Sequence, residues 1–355
     1  MFAFILIMMN NHVVAKITVS AEYHQPTDLF ALMDGVSNWY FNDDSYRKAW
    51  VDRFGLSSND KKIIKFYRNY RDRTYYDRAQ KDKKFRKNQD GIFAARSSYS
   101  LKTDPLAEHF INSITIEQAL SSLDNIASSA DASKLRVFYE NFRLKWAIIL
   151  SESKEFSSHV QTLNDGLKGS KVEDFLTRVS AFYRVDLDLK FRARFVWWPP
   201  IDRTLADVSG NTVFLRVNPL KQVAEGNWAE IVMHELVHYI SAHQPVEQKR
   251  FLSDEFLKIC PVKKNNLYEF LFKRQKPYDF LEEPMAIAWG QAAFAKYVQG
   301  QSLDPAKDWY SRPLAEVMGR LIWLEVESIY DSEVTIDEKF IQRIAKNCSR
   351  VLSIN

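Results

Sequence analysis

The sequence predicts an α+β fold, mostly α, on three observations. A strict period of two runs along one stretch, where Val185, Leu187, Leu189, Phe191, Ala193 and Phe195 alternate with Asp186, Asp188, Lys190, Arg192 and Arg194. That is the pattern of a β-strand with two different faces. Apolar side chains three and four apart dominate most of the remaining chain, the helical pattern. Hydrophobic residues make up 46% and charged ones 26%, a globular balance that leaves no reason to expect disorder. The 355 residues have room for two units. We expect a segment over 1–21, a helical region over 22–165, and a second unit over 166–355 with a small antiparallel sheet and a helix carrying an H-E-x-x-H string.

The first element is an apolar run from Phe2 to Met9, far too short to span a bilayer. It reads as the apolar part of a secretory signal, with Val19-Ser20-Ala21 as a small-residue cleavage site. The expected location is then periplasm, cell envelope or outside the cell. No Lys or Arg precedes the run, so a cytoplasmic protein with a buried first strand or helix is the alternative.

Helices are expected over 27–150. Trp39, Tyr46, Trp50 and Phe54, then Ile63, Ile64, Phe66, Tyr67 and Tyr70, recur near helical spacing. Ser57 to Asp60 offers a helix start, and Thr115 with Gln118 a capping box. The basic, Tyr-rich stretch Lys61–Lys87 is interrupted by Asp72, Asp77 and Asp82. It reads as a solvated mixed-charge helix rather than an anion-binding surface. After the strand at 185–195 come a strand at 204–208, a turn at 209–211 and a strand at 212–217, a β-hairpin. From Asn227 helices are expected at 228–243, 246–258, 265–274, 282–298, 313–330 and 336–352, with Thr335 and Glu338 as a capping pair.

Composition excludes several classes. With 10 Gly and no phosphate-loop string, nucleotide cradles are not expected. A net charge of +4 gives no case for nucleic acid. No other stretch approaches the length of a membrane span. Cys260 and Cys348 cannot form a four-cysteine metal site; they are either one bridge or two buried thiols.

The chemistry lies in Ile231-Val232-Met233-His234-Glu235-Leu236-Val237-His238-Tyr239-Ile240. Residues four apart lie on one face of a helix, about 6 Å along its axis, so both imidazoles can meet one ion. Zinc takes neutral His nitrogen and, in catalytic sites, three protein ligands plus water. Glu235 stands beside the first ligand and can act as general base. Chance alone would place such a string in a chain this long roughly once in a hundred. Two His and a Glu on an otherwise apolar helix are costly to bury without a purpose.

The third ligand is not on this helix, since no further His follows in phase. Leu281-Glu282-Glu283-Pro284-Met285-Ala286-Ile287-Ala288-Trp289-Gly290 supplies a Glu at the start of a helix whose small residues permit close packing. Glu283 is the expected ligand, because Ala286 stands three positions on, where Glu282 has the bulkier Met285. Glu282 is then free to complement the helix start or to orient a ligand histidine.

The pair of motifs, His234-Glu235-x-x-His238 and Glu283-x-x-Ala286, resembles the gluzincins, the thermolysin-like zinc metallopeptidases. The resemblance covers about residues 185–300. It implies a zincin-like fold for the second unit, Zn2+ held by His234, His238 and Glu283, and peptide-bond hydrolysis with Glu235 as base. It also implies an edge strand, here in the 204–217 hairpin, that pairs with an extended peptide or protein substrate. Thermolysin itself has Asp four residues after the ligand Glu, where this chain has Ile287. An oxyanion-stabilising Tyr or His is also implied, with His243, Tyr268 and Tyr278 as candidates. Two other readings stay open: a hydrolase of another amide such as a cell-wall peptide, and a zinc-binding or degenerate non-catalytic interaction module.

Overall fold

The computed structural model describes residues 17–39, 44–76, 104–152, 154, 156–197, 204–217, 227–260, 281–304, 306–310 and 313–353. The apolar run Phe2–Met9 and the helix expected at 265–274 lie outside them.

One four-stranded sheet stands at the centre of a mostly helical molecule, in the order β1-β2-β4-β3. The strands are β1 (Ile17–Tyr23), β2 (Leu189–Trp197), β3 (Leu205–Ser209) and β4 (Thr212–Val217). The hairpin forms as expected: β3 and β4 pair antiparallel through Gly210, whose φ of 57° suits a residue without Cβ. The sheet as a whole, however, is mixed and not antiparallel. β1 runs parallel to β2, with Ile17 opposite Leu189, and β2 runs parallel to β4, with Arg192 opposite Thr212. Parallel neighbours need long crossovers, and local alternation carries no sign of a partner so far away in the chain. Val19-Ser20-Ala21, expected as a cleavage site, lies inside β1. The Asn164 side chain fastens that strand, accepting from Ala21 N and donating to Ala21 O, both at 2.8 Å.

The helical region between β1 and β2 comprises α1 (Gln25–Ser37), α2 (Asp44–Phe54), α3 (Ser58–Arg71), a π-helical turn (Asp72–Tyr76), α4 (Pro105–Asn112), α5 (Ile116–Ser121), α6 (Ser129–Asn141), α7 (Arg143–Glu152), α8 (Phe156–Gly166) and α9 (Ser170–Tyr183). Ser57 caps α3 in a full capping box with Asp60, and Thr115 caps α5 by accepting from Gln118 N. α3 buries Ile64, Tyr67, Tyr70 and Arg71 and leaves Lys61, Lys62 and Lys65 in solvent, a mixed-charge helix as expected over this part of the stretch, while 77–87 lie outside the described residues. Arg71 is buried between Asp34 and Asp104, with Tyr67 Oη donating to Asp34 at 2.5 Å.

After the hairpin come α10 (Asn227–Ala242), α11 (Val246–Ile259), α12 (Glu282–Ala286) running into a π-helical segment (Ile287–Val298), α13 (Pro313–Ile329) and α14 (Glu338–Ser353). Thr335 does not cap α14; it accepts from Arg184, while Asp337 accepts from Phe340 N at 2.8 Å.

Both faces of the sheet are covered. On one, Phe191 and Phe195 of β2 meet Tyr239 and Trp228 of α10. On the other, Phe214 meets Phe30 of α1. The charged side of β2 faces α1, so Arg194 is only 4% exposed. Its guanidinium donates to Glu22, Thr27 and the Ile111 carbonyl, each at 2.7 Å, which satisfies the buried charge.

Candidate metal centre

α10 fixes the first two functional side chains. Trp228, Val232 and Tyr239 turn toward the sheet and neighbouring helices, anchoring the helix through its apolar side. His234 and His238, one turn apart, face α12 and the π-helical segment, and both are buried. Gly290 sets how close that segment comes. A Cβ there would stand 2.4 Å from His234 Cα and 2.6 Å from its N, so only glycine permits this backbone contact. On the far side, a Cβ on Gly319 of α13 would stand 2.6 Å from Ile287 Cγ2. The π-helical segment is therefore held between two glycine contacts, and α12 presents its two glutamates at a defined height on α10.

His234, His238 and Glu283 converge, with one ligand atom from each lying within 4.8 Å of the others. The two Nε2 atoms are 3.1 Å apart. His234 Nε2 lies 3.6 Å from Glu283 Oε1, and His238 Nε2 lies 3.4 Å from Glu283 Oε2. A tetrahedral ion with ligands at about 2.0–2.2 Å separates them by about 3.3–3.6 Å. The two nitrogens and the Glu283 carboxylate thus stand at spacings close to those of one face of such a tetrahedron, a poor arrangement for two imidazoles serving only each other.

Charge favours a cation. Burial alone would lower the His238 imidazole, but hydrogen bonding and charge from Glu282 and Glu283 outweigh it and hold it well above the histidine range. Burial would raise Glu283, yet the two imidazoles hold its carboxyl well below the usual range. Glu235 is raised, first by burial and further by Glu283 and Asp207, against the lowering influence of His234 and His238. Three carboxylates around two imidazoles attract positive charge, and two nitrogens with a carboxylate oxygen suit Zn2+.

Glu282 and Glu283 divide between the histidine's two edges. Glu283 meets the Nε2 atoms, while Glu282 Oε1 lies 3.4 Å from His238 Nδ1. Ile287, standing where thermolysin has its Asp, is fully buried.

One residue at the centre escaped the sequence reading. Tyr310 Oη donates to Glu283 Oε1, and the Tyr310 ring lies nearly parallel to His234, with centroids 5.5 Å apart and planes at 19°. Glu316 on the first turn of α13 positions this stretch, accepting from Trp309 N at 3.0 Å and pairing with Arg320. The Arg320 guanidinium also covers the Trp309 ring at 4.4 Å. The readable signals were the acidic first turn of α13 and the Arg one turn on, neither specific. Of the tyrosines and histidine considered from sequence, His243 turns back on its own helix, with Nδ1 2.8 Å from Tyr239 O. Tyr268 and Tyr278 lie outside the described residues.

β3 forms the sheet edge beside α10. On its inner side Asp207 pairs with Arg216 of β4 at 2.9 Å, both buried.

No protein-family model, no curated protein and no solved structure matches this chain.

Proposed function

We propose that this chain is a zinc-dependent hydrolase that cleaves peptide bonds. The observation that carries the reading is the convergence of His234 Nε2 and His238 Nε2, 3.1 Å apart, on the Glu283 carboxylate, whose Oε1 and Oε2 lie 3.6 and 3.4 Å from them respectively. A Zn2+ bound there supplies Lewis acidity, polarising a carbonyl and acidifying water. The rest is the work of the chain itself. Glu235 takes a proton from the attacking water as the C–O bond forms. It then returns that proton to the departing nitrogen as the C–N bond breaks. Its raised affinity for a proton suits both halves of that task. Tyr310 Oη, which donates to Glu283 in this structure, would turn that proton to the developing oxyanion. Among the described residues no strand pairs with the outer side of β3, and β-strand addition there is the expected mode of substrate binding.

Export belongs to the same proposal. A Cys260–Cys348 bridge suits an oxidising compartment. Cleavage after Ala21 would remove most of β1 from the sheet, so an exported form would keep those residues.

The test separates chemistry from binding. Glu235→Gln keeps shape and hydrogen-bonding capacity but removes the base. With a mixed peptide library read by mass spectrometry, wild type should cleave and Glu235→Gln should be slower by about 10³-fold or more at equal zinc content. Equal rates exclude Glu235 as base, and no cleavage by zinc-loaded wild type favours a binding role.

A further inference from the structure

Two adjacent glutamates at a metal centre raise the question of what the second one does. Glu282 is not merely the acidic start of α12. Its Oε1 is buried, makes no hydrogen bond among the described residues, and lies 3.4 Å from His238 Nδ1, the nitrogen on the ring edge away from Glu283. A ligand histidine that binds through Nε2 carries its proton on Nδ1, and an acceptor there fixes both tautomer and ring plane. The two histidines differ in what stands near Nδ1: the Glu282 carboxylate at 3.4 Å for His238, and no carboxylate for His234 among the described residues. His234 Nδ1 is buried too, its ring lies against the Tyr310 ring, and its backbone is held by the Gly290 contact. His238 has no glycine contact of that kind. Ile287, the position where a downstream carboxylate is absent, is turned into the core against Gly319.

We infer that Glu282 is the positioning residue of the centre: its carboxylate accepts from His238 Nδ1–H and aims Nε2 at the ion, while the neighbouring Glu283 binds the ion itself. One helix start thus supplies both a ligand and the support of another ligand. The arrangement rests on the metal reading above and adds to it which histidine is oriented, through which nitrogen, and by which residue. Pro284 immediately after the pair fits this division, since its fixed φ holds the first turn of α12 in shape.

The experiment uses full-length protein, stripped of metal and titrated with Zn2+ against a chelator, and in parallel loaded with Co2+ for visible absorption. Glu282→Ala should weaken Zn2+ binding by about 10–100-fold and alter the Co2+ d–d bands, because the His238 ring is no longer held. Glu282→Gln keeps an acceptor for Nδ1–H, so it should recover most of the affinity and a spectrum near wild type. If Glu282 only complemented the helix, both variants would lose thermal stability alike with unchanged Co2+ spectra, and the inference would be overturned. Wild-type binding with a Glu282→Ala affinity within about 2-fold would also overturn it while leaving the metal reading intact. Should Glu282→Ala not fold, Glu282→Asp, which withdraws the acceptor by one methylene, replaces it with the same expected direction. Wild type that takes up neither ion sinks the metal reading and this inference together.

Discussion

A methyl group at position 290 would sit 2.4 Å from the His234 Cα, closer than non-bonded atoms come. Gly290→Ala should therefore force α10 and the π-helical segment apart, at a cost of about 1–3 kcal/mol or more. It should also loosen zinc binding, because His234 and Glu283 lie on opposite sides of that contact. Urea unfolding of the metal-free protein and chelator competition read the two effects; wild-type values for both would remove Gly290 from the site's architecture. Glu230, one turn before His234, offers a pH test. Burial raises its carboxyl to about 7, with no cation among the described residues offsetting it. An acid raised in the folded state costs nothing below its unfolded value, near 4.5, and its full penalty above about 7. Relative to wild type, Glu230→Gln should gain on the order of 1 kcal/mol between pH 5 and pH 8, a modest figure since the side chain keeps some solvent. A difference that stays flat with pH would contradict this. At this scale much was legible in sequence. His234, Glu235 and His238 share a helix, so spacing alone relates them, and Glu283 followed from the small residues after it. Tyr310 was not legible: it is one tyrosine among 16, brought to Glu283 by Glu316 and Arg320 through tertiary packing.

Elements show the same division between local and distant causes. The hairpin β3–β4 and the helix α10 follow from patterns contained within them. β1 does not, because seven residues near the N-terminus gain meaning only against β2 and the Asn164 clamp. The alternation of β2 correctly predicts a strand with two faces, yet its charged face is covered by α1, where Arg194 is neutralised by Glu22. Sequence shows that a face is polar; it does not show which acid from another element will meet it. The Cys260–Cys348 bridge ties the end of α11 to α14 across 88 positions of chain that include the Glu282–Tyr310 part of the centre. Both cysteines are buried. Replacing both by Ser should lower stability by about 2–4 kcal/mol through the freed unfolded chain, while zinc stoichiometry stays at wild type. Thermal unfolding with and without reductant checks it, and an unchanged Tm in the double variant would mean the bridge does not form.

Across the whole molecule, buried residues from Ile17 in β1 to Cys348 in α14 belong to one hydrophobic core. Among the described residues no helix is long and apolar enough to cross a membrane. The sheet divides the molecule: α1 and its buried ion pairs cover one face, and α10 carries two of the candidate metal ligands on the other. The account stands or falls on whether this scaffold holds an ion at His234, His238 and Glu283. The direct measurement is elemental analysis of purified protein dialysed against a small excess of Zn2+ and then desalted. Wild type should retain about one zinc per chain, and His234→Ala, His238→Ala and Glu283→Ala should each lose most of it while remaining folded by circular dichroism. Zinc-free wild type, or folded alanine variants that keep the wild-type amount, would contradict the account.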